Sequence, residues 1–195
     1  VWTSPNTFVS TANAALYCGA NIDFVDIDPE TFNMSVQHLE EKLIKAKKDN
    51  KLPKLIVPVH FSGQSCEMKE IWSLSKEYGF KVIEDASHAL GGKYLNKQVG
   101  SCEYSHMAIF SFHPVKMITT GEGGAITTND QELDYRLSLL RTHGITKDAS
   151  KFSNESHGAW YYEQQALGYN YRLTDIQAAL GLSQLRRLDS FVKRR

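Results

Sequence analysis

Cysteine is scarce in this 195-residue chain, and charge of either sign is missing from its first 22 residues. Cys18, Cys66 and Cys102 form neither an even set nor a CxxC pair, which excludes a disulfide framework and a zinc ribbon and points to a reducing, cytoplasmic setting. The uncharged opening carries Thr, Ser and Asn throughout. It is therefore neither the run of roughly 20 apolar residues that spans a membrane nor a signal peptide, which needs a basic start. Charge of one sign is not in excess either: 22 basic and 22 acidic side chains cancel, leaving nothing to draw the chain to nucleic acid or anionic lipid. The 7 histidines include no HxxxH pair, so no metal site is expected. GxGxxG and the P-loop consensus are missing, so dinucleotide and P-loop readings lack their motif. The Asn-x-Ser sequons at Asn33 and Asn154 are expected to be chance matches.

What is present is an alternation of short apolar runs and amphipathic stretches, the pattern of a mostly parallel sheet with crossover helices. Apolar residues make up 42% of the chain, enough for a full core. Ile22 to Ile27, Leu55 to Val59, Lys81 to Glu84, Met107 to Phe112 and Ala125 to Thr128 read as strands. Val36, Leu39 and Leu43 mark one helix. Met68, Ile71, Trp72 and Ser75 mark a second that Gly79 stops, and Leu133, Leu137 and Leu140 mark a third. Thr174 and Gln177 fit a capping box opening a helix that runs to about Phe191. Its apolar positions wrap much of the circumference, so it belongs in a core or a subunit interface. Because the chain opens at Val1 and stops at Arg195 directly after this helix, it is expected to be an excerpt of a longer protein.

Two residues carry the chemistry. Asp85 follows a strand at its carboxyl end, where open α/β sheets place ligands, and Ala86, Ala89, Gly91 and Gly92 let a flat ligand approach the backbone. An Asp that only caps the next turn is the plain alternative. Lys116 follows the strand Met107 to Phe112 and precedes a bend at Gly121, Gly123 and Gly124. Burial there disfavours the ammonium form, and a neutral amine attacks a carbonyl to make a Schiff base. A surface lysine snorkelling from a loop explains the segment alone equally well. Together, a strand-end acid and a lysine some thirty residues later match what pyridoxal phosphate (PLP) requires: a carboxylate for the pyridine nitrogen and an amine for the aldehyde.

The segments Val82-Ile83-Glu84-Asp85-Ala86-Ser87-His88-Ala89, Phe110-Ser111-Phe112-His113-Pro114-Val115-Lys116 and Thr119-Thr120-Gly121-Glu122-Gly123-Gly124-Ala125 resemble the DegT/DnrJ/StrS family of sugar aminotransferases. Gly168-Tyr169-Asn170-Tyr171-Arg172-Leu173, Gln177-Ala178-Ala179 and Pro5-Asn6-Thr7-Phe8-Val9 extend the resemblance over nearly the whole chain. It implies a fold type I PLP-dependent aminotransferase large domain, a three-layer α/β/α unit with a mostly parallel sheet, over residues 1–190. It also implies that the family's phosphate loop before the stacking aromatic, and its smaller C-terminal domain, are missing from this excerpt. By position, Lys116 forms the internal aldimine, Asp85 pairs with the pyridine nitrogen and Phe8 stacks on the ring. His88 stands where many members have Gln and reaches the phenolic oxygen; Ser111 donates to the phosphate; Asn170 reaches the phosphate of a neighbouring subunit's cofactor. His60 is either a support of this pocket or a satisfied packing histidine.

The implied reaction moves an amino group from glutamate to a nucleotide-linked 4-keto-6-deoxy hexose, in a homodimer with a shared active site. The segments come nearest the subfamily that aminates C4 of a UDP-linked 4-keto sugar for pseudaminic acid. Three alternatives stand beside this reading: a dehydratase of the same family, in which His replaces the lysine; a non-catalytic dimerising scaffold; and a plain nucleotide-binding α/β domain. The aromatic stretch of residues 154–165, with Trp160, Tyr161 and Tyr162, is a candidate wall of the sugar pocket or of a dimer contact.

Overall fold

The computed structural model describes residues 1–195. By backbone contacts the chain divides into two compact units, residues 1–129 with 177–195, and residues 130–176. The first is built on β1 (Trp2–Thr3), α1 (Ser10–Tyr17), β2 (Asp23–Phe24), α2 (Val36–Lys48), β3 (Leu55–Val57), α3 (Met68–Tyr78) and β4 (Lys81–Asp85). A small hairpin, β5 (Lys93–Tyr94) and β6 (Lys97–Gln98), follows, then β7 (Met107–Ser111) and β8 (Gly124–Thr127). Six strands form one sheet in the order β2-β1-β3-β4-β7-β8, parallel except for the β7–β8 pair. The strand order reverses between β1 and β3, and open α/β sheets bind ligands outside the carboxyl ends of strands at such a point.

Helices α2 and α3 form where the pattern predicts them, for local reasons. Ser35 caps α2 by accepting from the His38 amide, and Leu39, Leu43 and Ala46 repeat along its buried face. In α3 the buried face is Met68, Ile71, Leu74 and Ser75, and Gly79 ends the helix at φ 79°, a left-handed conformation that costs a glycine nothing. These faces meet Ile56 and Val82 of the sheet, and Val25 just past β2, in the main core.

The pleat of β4 sorts its residues. Val82 and Glu84 are buried on the core side, while Ile83 and Asp85 take the other face half-buried. Registers carry this across the sheet: Glu84 is level with Ala108, and Asp85 with Ile109, which pairs in turn with Ile126. The Asp85 face is more open, with Ile109 37% and Ile126 45% exposed.

Several expectations need correction. The strand expected over residues 22–27 is only Asp23–Phe24, because β2 is an edge strand with one partner. Asp85 is the last residue of β4 rather than the residue after it. The single terminal helix is two, α5 (Asp175–Leu185) and α6 (Leu188–Arg194), broken at Arg186 and Arg187. Its apolar residues are exposed in this chain, Ile176 at 84% and Leu182 at 60%. β1, α1 and the β5–β6 hairpin went unpredicted.

The second unit contains α4 (Gln131–Arg141) and the antiparallel pair β9 (Ile145–Thr146) and β10 (Glu163–Gln164). Asp130 caps α4 by accepting from the Glu132 and Leu133 amides. Glu163 gathers the 153–165 loop, accepting from the Ser153 and Asn154 amides, Asn154 Nδ2 and the Tyr161 hydroxyl. No helix of the chain is long and apolar enough to cross a membrane.

Candidate active site

The carboxyl ends of β1, β3, β4 and β7 lie along one edge of the sheet and carry Ser4, His60, Asp85 and Ser111. Asp85 is fixed on both oxygens: Oδ2 accepts from Thr11 Oγ1 at 2.8 Å and Oδ1 from the Ser87 amide at 3.2 Å. A carboxylate has room for about four donors, so two directions stay open to a ligand. Its backbone is tied to the segment beyond β3, with the Asp85 amide donating to Pro58 and the His60 amide donating to Asp85.

Behind Asp85, on the core side, sits a buried polar cluster. His60 Nε2 donates to Glu84 Oε2 at 2.8 Å, Ser105 Oγ donates to Glu84 Oε1 at 2.5 Å, and the Cys66 amide donates to His60 Nδ1 at 3.1 Å. Because Nδ1 accepts, the proton of His60 is on Nε2 and the ring is neutral. His60 is thus a fully satisfied core histidine that also holds the loop above it. In that loop Phe61 meets the His88 ring edge-on at 6.3 Å. Gly63, at φ 93°, passes so close that a Cβ would stand 2.9 Å from the His88 carbonyl.

His88 carries the most telling feature. Its Nδ1 is buried and has no hydrogen-bond partner, as has the hydroxyl of Ser4. Buried polar atoms without partners are rare and ask for a ligand or water. Burial first, and then the nearby Lys116 ammonium, hold the imidazole below its usual range, against the opposing Asp85 carboxylate. Both charges act on one ring, so Asp85 and Lys116 lie within electrostatic reach of His88 although 31 positions separate them in sequence.

Lys116 is half-buried and makes no ion pair. Its turn is closed by its own amide on the His113 carbonyl, by the Thr120 amide and Thr119 hydroxyl on the Phe112 carbonyl, and by the Phe112 amide on Gly123. The α5 residues Gln177 and Gln184 bind the same loop through Glu122 and Thr119, and Gly181 leaves room for the Thr120 methyl. Arg195 donates to the Val115 and Lys116 carbonyls. Ser111 Oγ accepts from the His113 amide, which leaves its own proton free to donate. Phe8 stands in the loop after β1 and is 70% exposed. Asn170 belongs to the second unit, where its backbone bridges to Thr142 and its sequence neighbours Tyr169 and Tyr171 stack on one another. A small cavity lined by Met68, Glu84, Tyr94 and Val99 lies on the core side instead, away from these groups.

The model of the DegT/DnrJ/EryC1/StrS aminotransferase family matches residues 1–195. The chain belongs to this family. It is 46% identical, over all 195 residues, to the UDP-4-amino-4,6-dideoxy-N-acetyl-beta-L-altrosamine transaminase of Campylobacter jejuni, of which it covers 48%. Among solved structures it is similar to Helicobacter pylori PseC, an aminotransferase involved in the biosynthesis of pseudoaminic acid, at 38% identity and a TM-score of 0.83. That match covers 97% of this chain and 46% of the other. Spr1654 of Streptococcus pneumoniae, solved in a PLP form, aligns at 28% identity and a TM-score of 0.78, over 97% of this chain and 49% of that one. The chain therefore spans about half the length of the relatives it matches. Family membership also accounts for the mostly parallel α/β sheet, which is that of these aminotransferases.

Thr11, Ser4 and Gly63 were not singled out from the sequence. Thr11 follows Phe8 by three positions, the spacing of one helical turn, and that was the available signal.

Proposed function

We propose that the protein is a PLP-dependent sugar aminotransferase. It moves an amino group from glutamate to a nucleotide-linked, UDP-type 4-keto-6-deoxy hexose and forms a 4-amino sugar for surface glycan or nonulosonic acid synthesis. Residues 1–190 are read as its PLP-binding large domain. The observation that carries the proposal is the convergence of an anchored carboxylate, an unpartnered buried ring nitrogen and an unpaired amine at the carboxyl edge of the sheet.

The residues present fit the cofactor. Asp85 has free lone pairs for the ring nitrogen, His88 Nδ1 lacks a partner, Ser111 has a free hydroxyl proton for the phosphate, and Phe8 offers an uncharged face for stacking. Bound PLP supplies a carbonyl for covalent capture of an amine and an electron sink for the carbon next to it. Lys116 supplies the amine that holds the cofactor and afterwards moves a proton to and from the substrate carbon at Nζ. Asp85 holds the proton on the ring nitrogen. The UDP-sugar assignment is supported by the name of the Campylobacter jejuni relative, a UDP-amino-sugar transaminase, and glutamate as donor is what the family resemblance implies. A homodimeric site to which Asn170 contributes, and a cytoplasmic location, belong to the same proposal; exposed Ile176 and Leu182 on α5 support a covering surface.

Borohydride reduction of the protein with added PLP, followed by peptide mapping, tests it. A pyridoxyl adduct confined to Lys116 is the expected result, in the longest natural chain that contains these residues. An adduct spread over surface lysines, or none on Lys116, would overturn the proposal. With the adduct in hand, glutamate should bleach the bound chromophore.

A further inference from the structure

We propose that Thr11 is a positioning residue: its hydroxyl locks the Asp85 carboxylate and, through the first turn of α1, sets how far Phe8 stands from it. The inference rests on the PLP reading above for its ligand, but its geometry does not.

Three observations carry it. Asp85 Oδ2 can only accept as a carboxylate, so the 2.8 Å contact spends the single hydroxyl proton of Thr11 on it. Thr7 Oγ1 lies 3.5 Å away on the other side, where it can donate to Thr11. Second, a helical Thr ordinarily bonds back to a carbonyl three or four residues earlier, whereas this hydroxyl reaches a residue 74 positions on. Third, α1 has little else to hold it: Ala15 is its only buried residue, while Leu16 and Tyr17 are 54% and 85% exposed.

The turn makes the link to Phe8. The Thr11 amide donates to the Phe8 carbonyl at 3.4 Å and the Asn13 amide to Val9 at 2.9 Å, so the ring of Phe8 and the hydroxyl of Thr11 leave one turn together. A flat ring held edge-on by Asp85 and face-on by Phe8 needs these two groups at a fixed separation. Thr11 is the one hydrogen bond seen between the helix that follows Phe8 and the carboxylate. With the Ser87 amide on Oδ1, it also stops rotation of the carboxylate about its last bond.

Thr11→Val removes the hydroxyl and keeps the shape; Thr11→Ser keeps the hydroxyl and loses a methyl. Two measurements are made on each in the longest natural chain: PLP affinity by absorbance titration, and amide hydrogen exchange of α1 without cofactor. Charge-assisted bonds of this kind weaken binding by roughly tenfold when lost. Thr11→Val should therefore bind PLP about tenfold more weakly and exchange the α1 amides about tenfold faster, with Thr11→Ser close to wild type in both. Equal behaviour of Thr11→Val and wild type in exchange, or equal loss in both variants, would overturn the inference. If wild-type protein forms no adduct on Lys116, the PLP reading fails, while the exchange difference still decides whether the tether exists.

Discussion

The buried pair behind the site makes the sharpest quantitative prediction. The side chains of His60 and Glu84 are 0% and 7% exposed, and Glu84 takes one donor on each oxygen, from His60 Nε2 and Ser105 Oγ. His60→Leu strands a carboxylate with a single donor, which costs about 3 kcal/mol, the upper end for a buried acceptor because the group is charged. It also leaves the Cys66 amide without an acceptor, for about 1–3 kcal/mol more. Glu84→Leu strands the His60 and Ser105 protons, each at about 1–3 kcal/mol. In the double variant only the Cys66 amide and the Ser105 hydroxyl are left, about 2–6 kcal/mol in all. The Cys66 and Ser105 contributions cancel in the comparison, so the two single costs exceed the double by about 4 kcal/mol or more, as expected for contacting groups. Urea unfolding of the four proteins measures this directly. Additive single costs, or a His60→Leu cost under about 1 kcal/mol, would refute the reasoning. Because the His60 ring holds the 60–66 loop through the Cys66 amide, and Phe61 and Gly63 of that loop pack on His88, the single variants should also lose PLP affinity.

Three further predictions follow from charge and burial. Lys116→Met removes the ammonium that helps depress His88, so the imidazole should titrate higher by NMR in cofactor-free protein, and Asp85→Asn should move it lower. A depressed histidine binds protons more readily unfolded, so its share of stability is full above about 6.5 and falls as the pH drops below; Lys116→Met should shrink that loss. Burial pushes the Cys66 thiol up to about 12, so a thiolate-selective reagent should label exposed Cys18 in the native protein and Cys66 only on unfolding; native labelling of Cys66 would contradict its burial. Backbone donation from Ser153, with the Tyr161 hydroxyl and Asn154, holds Glu163 down at about 2. Its clasp on the 153–165 loop is then intact above about 4.5 and lost as the pH falls toward about 2, a change in Trp160 and Tyr161 fluorescence that Glu163→Gln should abolish.

The legible parts of the fold were those with a periodic buried face. α2 and α3 repeat apolar residues at helical spacing and carry a cap or a stop, β7 is an apolar run, and β4 is a Val-Ile pair flanked by charge, both strands lying inside the sheet. β1 and α1 were opaque because Trp2–Thr3 is too short for a pattern and Ser10–Tyr17 buries one residue. The break between α5 and α6 falls at Arg186 and Arg187, where nothing in an apolar pattern that continues on both sides marks it. In the site, Asp85 and Lys116 were readable because position relative to strands has chemical meaning. Thr11 was not: a threonine in an uncharged stretch has no motif, and its partner is distant in sequence. The unpartnered Nδ1 of His88 is a property of packing, visible only once Phe61 and Gly63 are seen against it.

Glu84 and Asp85 show how the same chemistry is divided by geometry. They are adjacent acids at the end of one strand, and the pleat sends them to opposite faces. Glu84 meets His60 and Ser105 in the core, and Asp85 meets Thr11 on the open face with lone pairs to spare. A shift of one residue in the pairing of β4 would put Glu84 at the ring with Ile83 facing His60, or Asp85 in the core with Ala86 at the ring, so neither slipped register supplies both acids. The buried pair opposes that shift, since only the observed register satisfies His60, Ser105 and the Cys66 amide at once. Its net value for stability is small beside an apolar core. Its consequence lies in the register it selects, which decides which carboxylate faces the ligand.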